Sequence, residues 1–251
     1  TLYIPEFSMN NHKFAFIICS NRPLLLEECL YYINHLVIPE GYSIDVLTIQ
    51  DAVSMTSAYN EAMTASDAKY KIYIHQDVYL LNRNFLMDLL AIFQSDPLIG
   101  LIGMVGYDSI SSDGIMWHAP RCGNLYYANP PIPYPALESY SYSLEQDSYH
   151  SVALIDGLLM ATAYDLPWDS VLLTGWDFYD AFQSIHFLQK GYRIAVPSQR
   201  HPWCLHDSGP FNNMVHYNQY LQIFRQHYNC LLGKNLQQIH EILSKTELSD
   251  S

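Results

Sequence analysis

The first half of the chain alternates between short apolar runs and amphipathic stretches, and this alternation constrains the fold more than any other feature. Apolar runs bounded by turn residues predict β-strands, and the spacing of apolar residues between them predicts helices. A strand–helix–strand order predicts an α/β fold with a mostly parallel sheet flanked by helices. The predicted strands are 14–19, 43–50, 70–76 and 99–105, and the predicted helices are 24–36, 57–65 and 84–93.

The pattern changes after the fourth strand. Residues 107–150 are rich in Tyr, Pro, Ser and Gly without sustained periodicity, which predicts an excursion of loops and short hairpins. Regularity then returns, and Gly191 marks the end of a further helix. The later predicted strands are 151–155, 158–164, 192–196 and 203–206, and the predicted helices are 178–190 and a C-terminal helix within 211–244, most clearly at 215–232.

Charge and length exclude several classes of partner. The 251 residues and 49% hydrophobic content suit one large domain. A net charge of −13 argues against nucleic acid and against anionic lipid. No apolar run approaches the ~20 residues of a membrane span, and the N-terminal residues lack the features of a signal peptide. Five cysteines with wide spacings predict reduced thiols and a cytoplasmic protein.

Polar residues at strand ends indicate a metal site. The turn after the first strand contains no glycine, so neither common glycine-rich phosphate loop is present. A divalent cation can hold phosphate instead, and Asp77 and His75 at the end of the third strand, with His206 at the last strand, are the candidate ligands. Alternation along a strand places His75 and Asp77 on one face. Carboxylate and imidazole suit Mn²⁺ well and Mg²⁺ adequately.

Each of these residues also has an ordinary structural explanation. An isolated Asp at a strand end is more often a turn or cap residue, and an isolated His is more often a core or surface residue. The pair Cys204 and His206 could suggest zinc, but a structural zinc site needs about four ligands with paired spacing. A metal site therefore depends on the three residues together.

Taken in order, the motifs resemble those of the family 2-like glycosyltransferases with the GT-A fold. The chain looks closest to a bacterial subgroup that has His-Gln-Asp-Val where relatives have Asp-x-Asp. The resemblance covers residues 14 to about 209, and the segments that carry it are FAFIICSN, IQD, SAYNEAM, YIHQDVYL, GIMWHAPRCGNLY, LIDGLLMAT, GWDFYDAFQSIHFLQKGYRIAV and CLHDSG.

This resemblance implies a hexosyltransferase type of enzyme. It implies transfer of a sugar from a nucleotide-diphosphate donor, usually a UDP-sugar, to a hydroxyl of a glycan, glycopeptide or lipid-linked acceptor, with Mn²⁺ or Mg²⁺ as cofactor. It divides a single domain, 1–251, into a nucleotide-binding part at about 12–106, an acceptor-side part at about 107–210 and the C-terminal helix at 211–244.

The resemblance also assigns roles to individual residues. Asp77 and His206 correspond to metal ligands, and Asp51 to the carboxylate that binds the base. Asp156 and Gly157 correspond to a turn beside the acceptor and the donor sugar. The implied donor contacts are Asn21, Asp51, Asn60, His75 and Gln76.

Asp180 corresponds to the general base that deprotonates the acceptor. An inverting transfer needs one such carboxylate, and a helix N-terminus favours its anion. The alternative is that Asp177 and Asp180 only cap the helix, and we expect that role for Asp177. The chain departs from the family pattern twice, because His75 replaces the first acidic residue of Asp-x-Asp and Tyr179 replaces a Glu before the base.

Aromatic residues predict a sugar-binding groove, since sugar rings stack on aromatic faces. Trp176 is the preferred acceptor or donor-sugar contact, with Trp117, Tyr126 and Trp168 as further candidates. Most aromatic residues are instead packing residues, and the Tyr-rich stretch 126–149 is open to a second explanation as a subunit interface in a homo-oligomer.

Other functions remain to be distinguished. A sugar-phosphate nucleotidyltransferase should have a glycine-rich basic loop after the first strand, and a methyltransferase should have a glycine motif there; SNRPLLLEE has neither. A non-catalytic sugar-nucleotide or glycan-binding module is the main alternative, because the metal motif is altered.

Overall fold

The computed structural model describes residues 8–128, 136–139, 148–208 and 215–247. The helices are α1 (Pro23–Asn34), α2 (Met55–Ala65), α3 (Phe85–Ser95), α4 (Tyr179–Gln189), α5 (Val215–His227) and α6 (Leu236–Glu247). The strands are β1 (Asn10–Cys19), β2 (Ser43–Ile49), β3 (Ala68–Ile74), β4 (Val78–Leu80), β5 (Ile99–Gly103), β6 (Val105–Tyr107), β7 (Arg121–Tyr127), β8 (Ala136–Ser139), β9 (Tyr149–Ser151), β10 (Leu154–Ile155), β11 (Leu159–Thr162), β12 (Arg193–Pro197) and β13 (Cys204–His206).

The larger sheet has the order β2-β1-β3-β11-β5-β12-β9. Five of its seven strands run in one direction, and only β11 and β9 run against their neighbours. Residues 14–18 of β1 are completely buried at its centre, as expected for a strand covered on both faces. The predicted α/β fold with a mostly parallel sheet is therefore confirmed.

Strand β11 lies antiparallel between β3 and β5, and this connection positions the site. Leu159 pairs with Ile74, so the turn before β11 lies beside the carboxyl end of β3. The backbone N–H of His75 donates to the carbonyl oxygen of Leu158 at 3.0 Å. Because of this pairing, residues 156–158 and 75–77 are neighbours although about eighty positions separate them in the chain.

A second sheet is built partly from the predicted excursion. Its order is β10-β6-β7-β13-β4, with β8 paired to β7. Val78 pairs with His206 in the antiparallel β4–β13 ladder, which brings His206 next to Asp77. The predicted excursion of loops and short hairpins over 107–150 does contain the antiparallel pair β7–β8, but the prediction did not include the pairing of β7 with β13 in one sheet, in which residues 122–125 are buried. Residues 129–135 and 140–147 of the excursion lie outside the described part of the chain.

Two further predictions need correction. Strand β3 ends at Ile74 and residues 75–77 form a turn, so strand alternation is not what brings His75 and Asp77 together. The C-terminal region forms two helices, α5 and α6, rather than one. A short 3₁₀ helix and Gly233, at a φ of 70°, separate them, because a left-handed residue ends a helix. Residues 211–214 of the predicted helix are outside the described range.

The cysteines agree with the prediction of reduced thiols. All five cysteines are free, as the sequence predicts, and four of them are buried or half-buried. Across the described residues, every helix is too short or too polar to pass through a lipid bilayer.

Candidate active site

Two adjoining cavities lie at the carboxyl ends of the central strands, where ligands bind in α/β folds. The smaller cavity, of about 400 Å³, is lined by the ends of β1, β2 and β3, including Asn21, Asp51 and Gln76. The larger cavity, of about 880 Å³, is lined by residues 156–158 and 174–180, by parts of β7 and by α5. His75 and Trp176 line both cavities and therefore mark their boundary.

Gln76 shapes the wall of the smaller cavity. Its side-chain Oε1 accepts hydrogen bonds from the Ser20 hydroxyl at 3.0 Å and from the Arg22 backbone N–H at 2.8 Å. Its Nε2 donates to Asn21 Oδ1 at 2.7 Å. Gln76 therefore holds the turn between β1 and α1 against the end of β3. The glycine-free turn is fixed by a side chain instead of by a compact backbone loop.

Asp51 is exposed at the end of β2 and lines the smaller cavity. Its φ of 54° lies in the left-handed region, which is uncommon for a residue other than glycine. Phe178, immediately before α4, is the other non-glycine residue with positive φ in the described chain, at 64°. Strained residues cluster at functional sites, and these two lie one at each cavity.

Asp77, His75 and His206 form a compact cluster at the boundary of the cavities. Each offers one ligand atom, and the three atoms lie within 4.8 Å of one another. Asp77 Oδ1 is 3.5 Å from His206 Nε2 and 4.0 Å from His75 Nδ1. This oxygen is buried and has no hydrogen-bond partner. An unpartnered buried carboxylate oxygen facing two imidazole nitrogens fits a divalent cation of the Mn²⁺ type.

The three side chains influence each other's pKa values. Burial alone would raise the pKa of Asp77, but the imidazoles of His206 and His75 outweigh it and lower that pKa. Burial would lower the pKa of His206, but Asp77 raises it above its ordinary value. Burial lowers the pKa of His75. The cluster therefore keeps an ionised carboxylate on Asp77 and favours a neutral imidazole on His75. These are the protonation states that metal ligands need.

Asp180 lies in the first turn of α4 and faces the larger cavity. Its Oδ2 accepts the Gly157 N–H at 2.9 Å and its Oδ1 accepts the Ala181 N–H at 2.8 Å. Burial, followed by repulsion from Asp156, raises the pKa of Asp180 to about 7. Burial therefore outweighs the helix N-terminus, which on its own would favour the anion. A pKa near the working pH is the value that suits a general base.

Residues 15–228 match the sequence pattern of the glycosyltransferase-like family. The chain belongs to this family. Its predicted membership of the family 2-like glycosyltransferases, and the enzyme class that follows from it, are confirmed. No curated protein resembles the chain at a significant level.

Solved structures place the glycosyltransferase in the GT-A fold. A mannosyltransferase from Pyrobaculum calidifontis, in complex with GDP-Man and Mn²⁺, is 11% identical, with a TM-score of 0.56; the alignment covers 96% of this chain and 70% of that one. TarS from S. aureus, residues 1–349 in complex with UDP, is 11% identical with a TM-score of 0.51, over 78% of this chain and 60% of that one. The glycosyltransferase thus spans less than two thirds of the TarS fragment, and at this identity the likeness shows the fold.

Most of the predicted site residues of the glycosyltransferase lie on the two cavities, but Asn60 does not. Its Nδ2 donates to the carbonyl oxygen of Trp168 and its Oδ1 accepts the N–H of Trp168, both at 2.8 Å. Asn60 lines neither cavity, so the structure does not bring it together with the other predicted donor contacts. Both polar groups are used to hold α2 against the loop before α4.

Two of the four aromatic residues predicted as sugar contacts line the larger cavity. Trp176 is 48% exposed and Trp117 is 43% exposed, and both line the larger cavity. Trp168 is buried at 3% exposure and packs on Tyr59, so it is a core residue. Tyr126 does not line the cavity, whereas Tyr127 does, because neighbouring side chains of β7 point to opposite faces.

Sequence reasoning missed the contribution of α5 to the larger cavity. Tyr217 and Tyr220 line it, and the Tyr217 ring lies 5.0 Å from that of Trp117. Their spacing of three residues places them on one helix face, which is a signal that the sequence does contain. The predicted helix cap also needs correction. Phe178 occupies the N-cap position of α4 and no side chain makes a capping hydrogen bond there, so Asp177 does not cap this helix.

Proposed function

We propose that this glycosyltransferase transfers a hexose from a UDP-sugar to an acceptor hydroxyl with inversion of configuration and with the help of a divalent cation. The observation that carries the proposal is the cluster of Asp77, His75 and His206 at the boundary of two cavities, with Asp180 on the side of the larger one. An inverting transferase needs this division, because the leaving diphosphate and the attacking acceptor hydroxyl lie on opposite sides of the donor's anomeric carbon.

The donor nucleotide is assigned to the smaller cavity. Asp51 and Asn21 offer hydrogen-bonding groups to the nucleoside, and Asp77 and His206 would hold a cation against the diphosphate. The cation would neutralise the charge that develops on the leaving diphosphate, a task for which the glycine-free turn offers no alternative. The fold relatives support this assignment, since one was solved with GDP-Man and Mn²⁺ and another with UDP.

The acceptor is assigned to the larger cavity. Trp176 and Trp117 offer exposed ring faces for sugar, and Asp180 offers a base with a pKa of about 7. Among the described residues that line this cavity, the carboxylates are Asp156, Asp177 and Asp180, all within one stretch of 25 residues around the acceptor side. A single displacement assisted by Asp180 inverts the anomeric configuration, because no enzyme nucleophile takes part.

A panel of UDP- and GDP-sugars in a thermal-shift experiment, with Mn²⁺ and with EDTA, tests the donor assignment. A ligand at about 100 times its Kd stabilises a protein by about 2.7 kcal/mol, which is easily measured. We expect the largest shift with a UDP-sugar and Mn²⁺ together. Equal shifts with EDTA would contradict the role of the metal, and a preference for GDP would contradict the donor.

Slow hydrolysis of the bound donor distinguishes the enzyme from a non-catalytic binding module. The enzyme should release UDP in the absence of acceptor, and a module should bind the donor without turnover. The cytoplasmic location, the acceptor class and a homo-oligomeric state stay predictions of the sequence.

A further inference from the structure

We propose that Tyr179 is a positioning residue that fixes the tautomer of His75 and so makes His75 a third metal ligand through Nδ1. This inference rests on the proposed function, in which Asp77 and His206 hold a cation. It adds a ligand that the resemblance to the family does not supply. It also explains why the two positions at which the chain departs from the family pattern, 75 and 179, carry the residues they do.

The two side chains are in direct contact. His75 Nε2 lies 2.5 Å from the Tyr179 hydroxyl oxygen, and the same hydroxyl donates to the carbonyl oxygen of Gly157 at 3.2 Å. Tyrosine has one hydroxyl proton, so a hydroxyl that donates to Gly157 must accept from His75. His75 then carries its proton on Nε2, and Nδ1 has a free lone pair.

This nitrogen belongs to the metal cluster. Nδ1 lies 4.0 Å from Asp77 Oδ1, within the cluster that also contains His206. With the opposite tautomer, the N–H at Nδ1 would be too far from Asp77 Oδ1 for a hydrogen bond. The Tyr179 hydroxyl would then donate its proton to His75 Nε2 and could no longer donate it to the Gly157 carbonyl oxygen. Asp77 Oδ1 would stay buried without a partner in either case. A cation between the three residues satisfies this oxygen and uses the lone pair of Nδ1.

Gly157 makes the arrangement sterically feasible. A Cβ atom at this position would overlap the Tyr179 hydroxyl and would lie 2.6 Å from the ring carbon that bears it. Only glycine therefore lets the Tyr179 hydroxyl reach its carbonyl oxygen and His75 at once. The two hydrogen bonds of the Tyr179 hydroxyl join the end of β3, the turn before β11 and the start of α4. They therefore position the acceptor-side turn and the metal cluster together.

The ligand set has a chemical consequence. Two neutral imidazoles and one carboxylate suit transition-metal ions, whereas Mg²⁺ prefers carboxylate, carbonyl and water oxygens. A site with His75 as third ligand should therefore select Mn²⁺ over Mg²⁺ more strongly than a site formed by Asp77 and His206 alone.

The first test needs no substitution. Long-range ¹H–¹⁵N NMR of the metal-free protein reports which ring nitrogen of His75 carries the proton. We expect the proton on Nε2, and a proton on Nδ1 would overturn the proposal. In Tyr179→Phe we expect the two tautomers to be mixed.

The second test is the affinity for Mn²⁺ alone, measured by electron paramagnetic resonance titration with Mg²⁺ as competitor. We expect Tyr179→Phe to weaken Mn²⁺ binding by about 10–100-fold, the usual effect of removing a residue that orients a metal ligand. In a His75→Ala background, Tyr179→Phe should have no further effect. Tyr164→Phe is the matched control, since that hydroxyl donates to the Pro97 carbonyl oxygen away from both cavities.

The outcomes separate this inference from the proposed function. If the unmodified protein binds UDP-sugar equally with and without Mn²⁺, the metal part of the proposed function fails. If it binds Mn²⁺ but His75→Ala and Tyr179→Phe bind it equally well, His75 is not a ligand and only the present inference fails. Additive losses in the double variant would show that Tyr179 acts independently of His75 and would also overturn it.

Discussion

The smaller and the larger cavity are built from different kinds of sequence. The smaller cavity takes most of its lining from the ends of three neighbouring strands, β1, β2 and β3, and from the residues directly after them; Met55, Tyr59 and Trp176 supply the rest. The larger cavity combines residues from β6 and β7, the turn before β11, the start of α4, β13 and α5. Strand ends can be located from a local pattern, whereas the larger cavity depends on contacts between distant segments.

The two cavities also differ in their chemistry. At the smaller cavity the side chain of Gln76 is hydrogen-bonded to the turn after β1 and holds the wall in place. At the larger cavity burial raises the pKa of Asp177 and raises that of Asp180 to about 7, so Asp180 is near its point of protonation at neutral pH. The comparison suggests a division of labour in which the smaller cavity binds the donor and the larger cavity carries out proton transfer.

Asp180→Asn is the variant with the largest expected effect. It should reduce turnover by roughly 10²–10⁴-fold, the usual cost of losing a general base, and leave the affinity for the donor nearly unchanged. Steady-state kinetics and calorimetry with a UDP-sugar measure the two quantities, and NMR of the anomeric proton should show an inverted product. Asp45→Asn, a surface partner of Lys13, is the control. Full activity of Asp180→Asn, or a retained configuration, would contradict the assignment of proton transfer to the larger cavity.

Asp77→Ala tests the boundary between the cavities. Without this carboxylate the affinity for UDP-sugar in Mn²⁺ should fall to the value in EDTA. The loss should be at least ~10–100-fold, which is the effect of removing a residue that only orients a metal ligand. His206→Ala should lower metal affinity in the same direction. Isothermal titration in both buffers makes the comparison. A donor affinity that stays dependent on Mn²⁺ in Asp77→Ala would place the cation elsewhere.

The pH dependence should differ between binding and turnover. A base acts only when it is ionised, and Asp180 has a pKa of about 7. Turnover should therefore rise as pH increases through 7, by about tenfold between pH 6 and pH 8, whereas the affinity for the donor should change less. Measurements of kcat and of donor Kd over this range provide the check. A kcat that is constant down to pH 5 would mean that the pKa of the base is not raised.

The difference between the cavities also explains what the sequence could and could not predict. The elements predicted between residues 14 and 105 agree with the structure within two residues at every boundary except the start of β1, because apolar runs and helical spacing are local signals; the short strand β4 was not predicted. The antiparallel direction of β11 and its place between β3 and β5 could not be predicted, since sheet order depends on long-range pairing. For the same reason the second sheet around β7 was missed.

At the site, motif residues were easier to locate than their contacts. The candidate metal ligands Asp77, His75 and His206 do meet, but through a turn and an antiparallel ladder rather than on one face of a strand. Tyr217 and Tyr220 were missed, because nothing local shows that α5 packs over the larger cavity. Asn60 does not join the other predicted donor contacts, because its motif position suggested the donor whereas its side chain bonds the backbone of Trp168.

Asn60 therefore gives the smallest expected effect on function and a sharp test of the structure. Asn60→Ala removes two hydrogen bonds to the Trp168 backbone, which should cost about 1–3 kcal/mol of the free energy of unfolding. Donor affinity should stay unchanged, because the side chain does not reach either cavity. Asn21→Ala, at the smaller cavity, should do the reverse and weaken donor binding with little loss of stability. Chemical denaturation and calorimetry on both variants measure this contrast. If Asn60→Ala loses donor affinity at full stability, the motif position predicts function better than the hydrogen bonds do.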